Sequence, residues 1–231
     1  MGATTVTPLI LLPGLGADAQ LLEPQRAFFP GLATPPWPAH VPGETLRDYA
    51  QRAAAAITPL LPAGGGYHLG GCSFGGMVAL EAVAHLPVPP RAIFLIASAR
   101  SGQAIAPHLR YFVKFASILP ERAFAAGQAL TPLFMQKFGR LSPEQADWFA
   151  AILAGVDAGF VRWGIAAITD WEGCELPPDV PVHTIHGSDD ELIPCKQVRP
   201  DVVIQGGGHL ISVTHADEVN RFIAERLGTT G

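Results

Sequence analysis

Short β-rich apolar runs that stop at a glycine or a turn recur along this chain, with helical patterns between them, and that alternation leaves few folds open. "TPLILLPG", "YHLGGC", "RAIFLIAS", "VPVHTIHG" and "PDVVIQGG" are such runs. One more, second in order near "LATPPWPA", is short and broken by prolines. The runs are continuously apolar rather than alternating, the pattern of strands covered on both faces. Between them lie "TLRDYAQRAAAAITPLL" behind a Thr45 cap, "GGMVALEAVAHL", and the closing "THADEVNRFIAERL". Strand, helix, strand gives parallel pairing through right-handed crossovers. The expectation is a doubly wound α/β fold, a mainly parallel sheet of about six strands in the order 2-1-3-4-5-6.

One stretch breaks the rhythm. Residues 101–173 carry helical patterns and no convincing strand. "LSPEQADWFAAILAG" opens on Ser142 as cap, Pro143 at the first helical position and Gln145 three residues after the cap. "DAGFVRWGIAAITDW" starts again at Asp157. The expected organisation is one α/β core, residues 1–100 and 174–231, with a helical insertion at 101–173 between the fourth and fifth strands.

Composition narrows the function classes. Of 231 residues, 48% are hydrophobic and 15% charged, enough for a large buried core and too apolar for disorder. The net charge is −5 and the basic residues are scattered, so no nucleic-acid or acidic-lipid partner is expected. Cys72, Cys174 and Cys195 lie far apart, an odd set without C-x-x-C spacing, so neither a disulfide framework nor a zinc site is expected. Reduced thiols fit the cytoplasm. No Lys or Arg precedes the first apolar run, as a signal peptide requires. No apolar run reaches the length of a membrane span. Oligomeric state has no signature here.

"GGCSFGG" puts Ser73 between a strand and a helix, in the pattern G-x-S-x-G from Gly71 to Gly75. An abrupt strand-to-helix turn exposes the middle side chain, and the glycines let strand and helix pass closely. In the expected sheet order this turn lies on a central strand, at the C-terminal edge where such sheets bind ligands. A serine hydroxyl is a weak nucleophile at neutral pH; it needs a base, and the base needs an orienting partner. Both should come from later loops at the same edge.

Among eight histidines, His209 in "QGGGHLIS" stands just past the last strand, behind three glycines. His183 and His186 lie in the fifth strand three apart, on opposite faces, which argues against a shared metal; His186 stands where it can border the site. The acid should follow a strand between serine and histidine. "HGSDDELIP" after the fifth strand offers both Asp189 and Asp190, whereas "ASARSG" after the fourth has no acid.

Taken together these residues resemble the α/β-hydrolases, with nucleophile, acid and histidine in that superfamily's order. The likeness spans about residues 5–228 and points to a small, cap-bearing serine esterase. The superfamily's acid stands three residues after a glycine and four before a proline, which between Gly187 and Pro194 selects Asp190 over Asp189. The backbone N–H groups of Leu15 and Phe74 would form the oxyanion hole. The usual His-Gly of that loop is Pro13-Gly14 here, and many members carry further strands before the first one found here. The insertion resembles the superfamily's cap, and Phe112, Phe134, Trp148 and Trp163 are the cap aromatics expected to line an apolar pocket.

The resemblance implies hydrolysis of a carboxylic ester, or thioester, of a small and largely apolar substrate through an acyl-enzyme, with no cofactor and no metal. Non-hydrolytic chemistry on the same fold, as a lyase, a perhydrolase or a ligand-binding receptor, is the alternative. "GLGADA" also matches a dinucleotide-binding fingerprint. That site needs an acid about 20 residues on, and "GLATPPWPAH" contains neither Asp nor Glu.

Overall fold

A computed structural model of the protein describes residues 7–111 and 131–228. Six strands form one sheet: β1 (Leu9–Leu12), β2 (Leu32–Ala33), β3 (His68–Cys72), β4 (Ala92–Ile96), β5 (Val182–Gly187) and β6 (Val202–Ile204). Every neighbouring pair is parallel, in the order β2-β1-β3-β4-β5-β6. This is the order expected from the sequence. β2 has only two residues; Pro35 and Pro36 follow at once, and proline supplies no N–H to a ladder.

The continuous apolar runs have their explanation in two cores. Residues alternate across the sheet. Ile10, Leu12, Leu69, Ile93 and Leu95 pack on one face against α2 (Leu46–Ile57) and α3 (Phe74–Ala82). Leu9, Leu11, Phe94, Ile96 and Ile185 pack on the other, against residues that include Leu21, Leu22 and the closing helix. The first of these helical segments, a 3₁₀ turn at Ala19–Leu22 running into α1 (Glu23–Phe28), carries no helical period long enough to read from sequence. The expected Thr45 cap forms a capping box with Asp48, each side chain accepting the other's backbone N–H, at 3.2 and 3.1 Å.

After β4 come α4 (Thr131–Phe138), α5 (Pro143–Leu153) and α6 (Ala158–Asp170). Ser142 and Gln145 form the expected box at the start of α5, and the Asp157 side chain accepts the Gly159 N–H at 2.6 Å to start α6. One-turn helices at Cys195–Val198 and Ile211–Thr214 precede α7 (Ala216–Gly228). Among the described residues no single helix is long and apolar enough to cross a membrane.

The strand order fixes where a site can lie. The chain leaves β1 toward β2 and leaves β3 toward β4, in opposite directions along the sheet. Their C-terminal ends therefore flank a crevice, the topological switch point of an open α/β sheet. The loop Pro13–Ala17 and Ser73 are the residues at those two ends.

Candidate active site

Ser73 joins β3 to α3 with φ 51° and ψ −119°, a region that side-chain-bearing residues avoid. Strain of this kind costs about 1–3 kcal/mol and persists only where the surroundings over-determine it. Here they do. The Ser73 N–H donates to Ile96 O at 2.9 Å, and the Ser73 carbonyl accepts from Ser98 Oγ at 2.7 Å. The flanking glycines permit the close passage. A methyl at Gly71 would land on the backbone of Gly75–Gly76, and one at Gly75 on the carbonyls of Leu12 and Pro13. The Ser73 side chain stays partly open to solvent.

His209 reaches the serine from beyond β6. The loops after β5 and β6 are laced together: Ser188 N–H donates to Ile204 O and Asp189 N–H to Gly207 O, both at 2.9 Å. His209 N–H donates to Phe138 O at 3.1 Å, tying the loop to the end of α4. On the ring, Ser73 Oγ and Nε2 are 2.8 Å apart, and Nδ1 and Asp190 Oδ2 are 2.7 Å apart. A carboxylate only accepts, so Nδ1 carries the proton and Nε2 is free to accept from the serine hydroxyl.

The two neighbouring aspartates are separated by what they face. Asp190 is 4% exposed. Its Oδ1 accepts the N–H groups of Leu192 and Ile193, both at 2.9 Å, and its Oδ2 faces His209. Burial pushes its carboxyl up, but its contacts with the His209 and His186 rings outweigh burial and hold it well below the usual carboxylate range. Asp189 points the other way and pairs with Arg140, between α4 and α5, at 2.6 Å.

Leu15 and Phe74 stand on the two sides of the switch point. Phe74 is the first residue of α3, so its N–H has no intrahelical partner. Neither N–H takes part in the backbone hydrogen bonds of the described loops and turns. Helices after β4 lie over this place. Leu153, Val156 and Val161 side chains stand over Gly16, and Gly164 of α6 meets the Leu15 side chain so closely that a methyl there would collide with it.

The four aromatics expected to line a pocket do not fall in one place. Trp163 sits in a cluster with His40, Tyr49, Phe160 and the ring of Phe74, with centroids 4.7 to 6.3 Å from its own. Its indole N–H donates to Glu44 O at 2.9 Å. Trp148 lines an outer groove of about 750 Å³ with Pro24, Ala27, Glu144 and Val213, and none of Ser73, Asp190 and His209 borders it. Phe112 lies outside the described residues, as does the side chain of Phe134. His186, expected from the sequence to border the site, has its ring nitrogen against Asp190, and Arg140, which no motif marks, pairs with the neighbouring Asp189. Among the described residues no group of three His, Cys, Asp or Glu side chains could hold a metal ion.

The arrangement can move a proton from a hydroxyl to an imidazole held by a buried carboxylate, at a helix N-terminus with unused N–H groups. The model of the alpha/beta hydrolase family matches residues 9–222, and the chain belongs to that family. Solved structures with the same fold include a thermophilic esterase from Thermogutta terrifontis, 19% identical, with a TM-score of 0.75 over 97% of this chain and 90% of that one. An esterase from Exiguobacterium antarcticum is 14% identical, with a TM-score of 0.74 over 96% and 92%. A bromoperoxidase from Bacillus anthracis is 17% identical, with a TM-score of 0.73 over 97% and 92%. No protein of curated function matches the sequence.

Proposed function

We propose that this protein is a serine hydrolase that cleaves a carboxylic ester, or a thioester, of a small and largely apolar molecule through an acyl-enzyme. The observation that carries the reading is the hydrogen-bonded row from Ser73 Oγ to His209 Nε2 at 2.8 Å and from His209 Nδ1 to Asp190 Oδ2 at 2.7 Å. Ser73 Oγ attacks the carbonyl carbon as its proton passes to His209 Nε2. Asp190 holds His209 in the Nδ1–H tautomer and offsets the charge that the ring acquires. The N–H groups of Leu15 and Phe74 stabilise the oxyanion, each worth about 3–4 kcal/mol in the transition state. His209 returns its proton to the leaving oxygen or sulfur. It then takes a proton from water as the water oxygen attacks the acyl carbon, and returns that proton to Ser73 Oγ as the bond from Oγ to the acyl carbon breaks, which releases the acid and restores Ser73.

Helices α5 and α6 act in this reading as the cap. Their side chains over Leu15 and Gly16 make one wall of the crevice apolar, and an apolar wall selects by chain length at about 1–3 kcal/mol per methylene. No cofactor is required. Cys72, Cys174 and Cys195 are all free thiols, which supports a cytoplasmic setting.

The test is turnover of 4-nitrophenyl esters of increasing acyl length. Wild type should hydrolyse them, with medium chains ahead of acetate, and Ser73→Ala should not. Near wild-type turnover in Ser73→Ala would defeat the serine mechanism.

A further inference from the structure

His186 lies on β5, fully buried, four residues before Asp190. Its Nε2 is 2.7 Å from Ile193 O and 3.0 Å from Asp190 Oδ2. Both neighbours are acceptors, so Nε2 carries a hydrogen; it donates to Ile193 O, with Asp190 Oδ2 close beside it. Nδ1 is buried and has no hydrogen-bond partner among the described residues. A strand interior ordinarily fills such a position with an aliphatic side chain. A ring kept here with one nitrogen unpartnered is held for what the other nitrogen does.

That other nitrogen closes a ring of bonds around the acid. Ile193 N–H donates to Asp190 Oδ1 while Ile193 O accepts from His186. The turn Asp190–Ile193 is thus pinned from β5 as well as from within. Asp190 Oδ2 has two imidazole nitrogens close to it, Nδ1 of His209 at 2.7 Å and Nε2 of His186 at 3.0 Å. Removing His186 leaves Ile193 O unpaired and takes a close polar contact from Oδ2, which loosens the turn and lets the carboxyl rotate about the bond to its β-carbon. The carboxylate plane sets the direction of His209, and so the distance from Nε2 to Ser73 Oγ.

We propose that His186 is a positioning residue for the hydrolysis: by donating to Ile193 O while its ring nitrogen lies against Asp190 Oδ2, it fixes the turn and the carboxylate that orients His209. The proposal rests on the reading of Ser73, His209 and Asp190 as the reacting row. The contact with His186 is also among the causes that hold Asp190 ionised.

Three substitutions separate donation from shape. His186→Gln carries an amide N–H₂ that reaches the place of Nε2. His186→Asn carries the same amide too short to reach it. His186→Phe keeps the ring and loses the donor. For each folded variant, with folding checked by circular dichroism, kcat and KM are measured on a 4-nitrophenyl ester that wild type turns over, with Ser73→Ala as blank. Misplacing a reacting group by a fraction of an ångström to an ångström lowers rate on the order of 10- to 100-fold, and that loss is expected in kcat for the Asn and Phe variants, with KM nearly unchanged. The Gln variant should recover most of the wild-type kcat. If the Phe variant does not fold, the contrast between Gln and Asn decides alone. Unchanged kcat in a folded Asn or Phe variant, or equal loss in Gln and Asn, would overturn the positioning role while leaving the serine mechanism standing. A wild-type protein inert toward the whole ester series would overturn both.

Discussion

Ser73 occupies a backbone conformation that a folding chain enters only when something else holds it there. The hydrogen bonds to Ile96 O and from Ser98 Oγ are what hold it. Ser73→Ala keeps every backbone bond and loses only the hydroxyl. Stability measured by urea unfolding should change by less than about 1 kcal/mol, the range of a lost exposed hydrogen bond. kcat should fall about 10⁴-fold or more, as when a nucleophile is removed from a row of residues that act as a unit.

At the same scale, the two aspartates should behave differently. Asp190→Asn leaves His209 in the wrong tautomer and should lower kcat about 10⁴-fold. Asp189→Asn weakens a half-exposed pair with Arg140, worth no more than about 1 kcal/mol, and should lower kcat less than tenfold. Steady-state kinetics of the two variants check the ranking. The sequence pattern around Gly187 and Pro194 favours Asp190, and its facing His209 agrees with that spacing. Ser73 and His209 were legible because strained turns and tight loops demand glycine, and glycines mark both. The position of His186 at the border of the site was legible from its place in β5, but its contact with Asp190 was not: that depends on how the turn Asp190–Ile193 folds back, which spacing along the chain does not reveal.

At the scale of elements, the helices after β4 meet the residues around Ser73 at several places, among them the end of α4 through Phe138 O and His209 N–H, and α6 through Gly164 and Leu15. Gly164→Ala separates two effects. Alanine in a helix is favoured over glycine by about 1 kcal/mol, so the helix itself gains. The added methyl must displace Leu15 or move α6, and the loop whose N–H is proposed to meet the oxyanion shifts with it. The melting temperature should change little, while kcat/KM falls about tenfold or more, since an oxyanion donor is worth several kcal/mol.

Trp163→Ala should do the reverse. It empties part of the cluster shared with Tyr49, Phe74 and Phe160. The expected loss is about 2–3 kcal/mol, below that of a fully buried tryptophan, with a broadened acyl-length profile in the 4-nitrophenyl ester series. α2, α5 and α6 were legible from their caps, Thr45, Ser142 and Asp157, because a cap is a local contract between neighbours in sequence. Which way each aromatic of the helices after β4 faces is set by packing between helices. The sequence offered Trp148 and Trp163 as equals, and the fold sends one to an outer groove and the other beside Phe74.

For the whole molecule, the sheet order was legible because continuous apolar strands alternating with helices admit few arrangements. β2 was faint because Pro35 and Pro36 cut it to two residues. The buried acid adds a global signature. The folded state holds the Asp190 carboxyl below its ordinary value, so the unfolded chain binds the proton more tightly, and stability rises with pH in that window. The contribution of Asp190 is complete above the unfolded-state pKa of about 3.9 and is lost as pH falls through the lower folded value. In urea unfolding between pH 6 and pH 3, the gap in stability between wild type and Asp190→Asn should narrow toward the acid end. A gap that widens on acidification would contradict the ionised carboxylate.

The claim on which the rest depends is that Ser73 Oγ is the nucleophile, activated by His209. The most direct measurement is to treat the folded protein with a fluorophosphonate, digest it, and locate the adduct by mass spectrometry. The expected result is one adduct per chain, on the peptide containing Ser73, absent from Ser73→Ala and formed far more slowly in His209→Ala. Stoichiometric modification of any other residue, or labelling of Ser73→Ala at the wild-type rate, would contradict it.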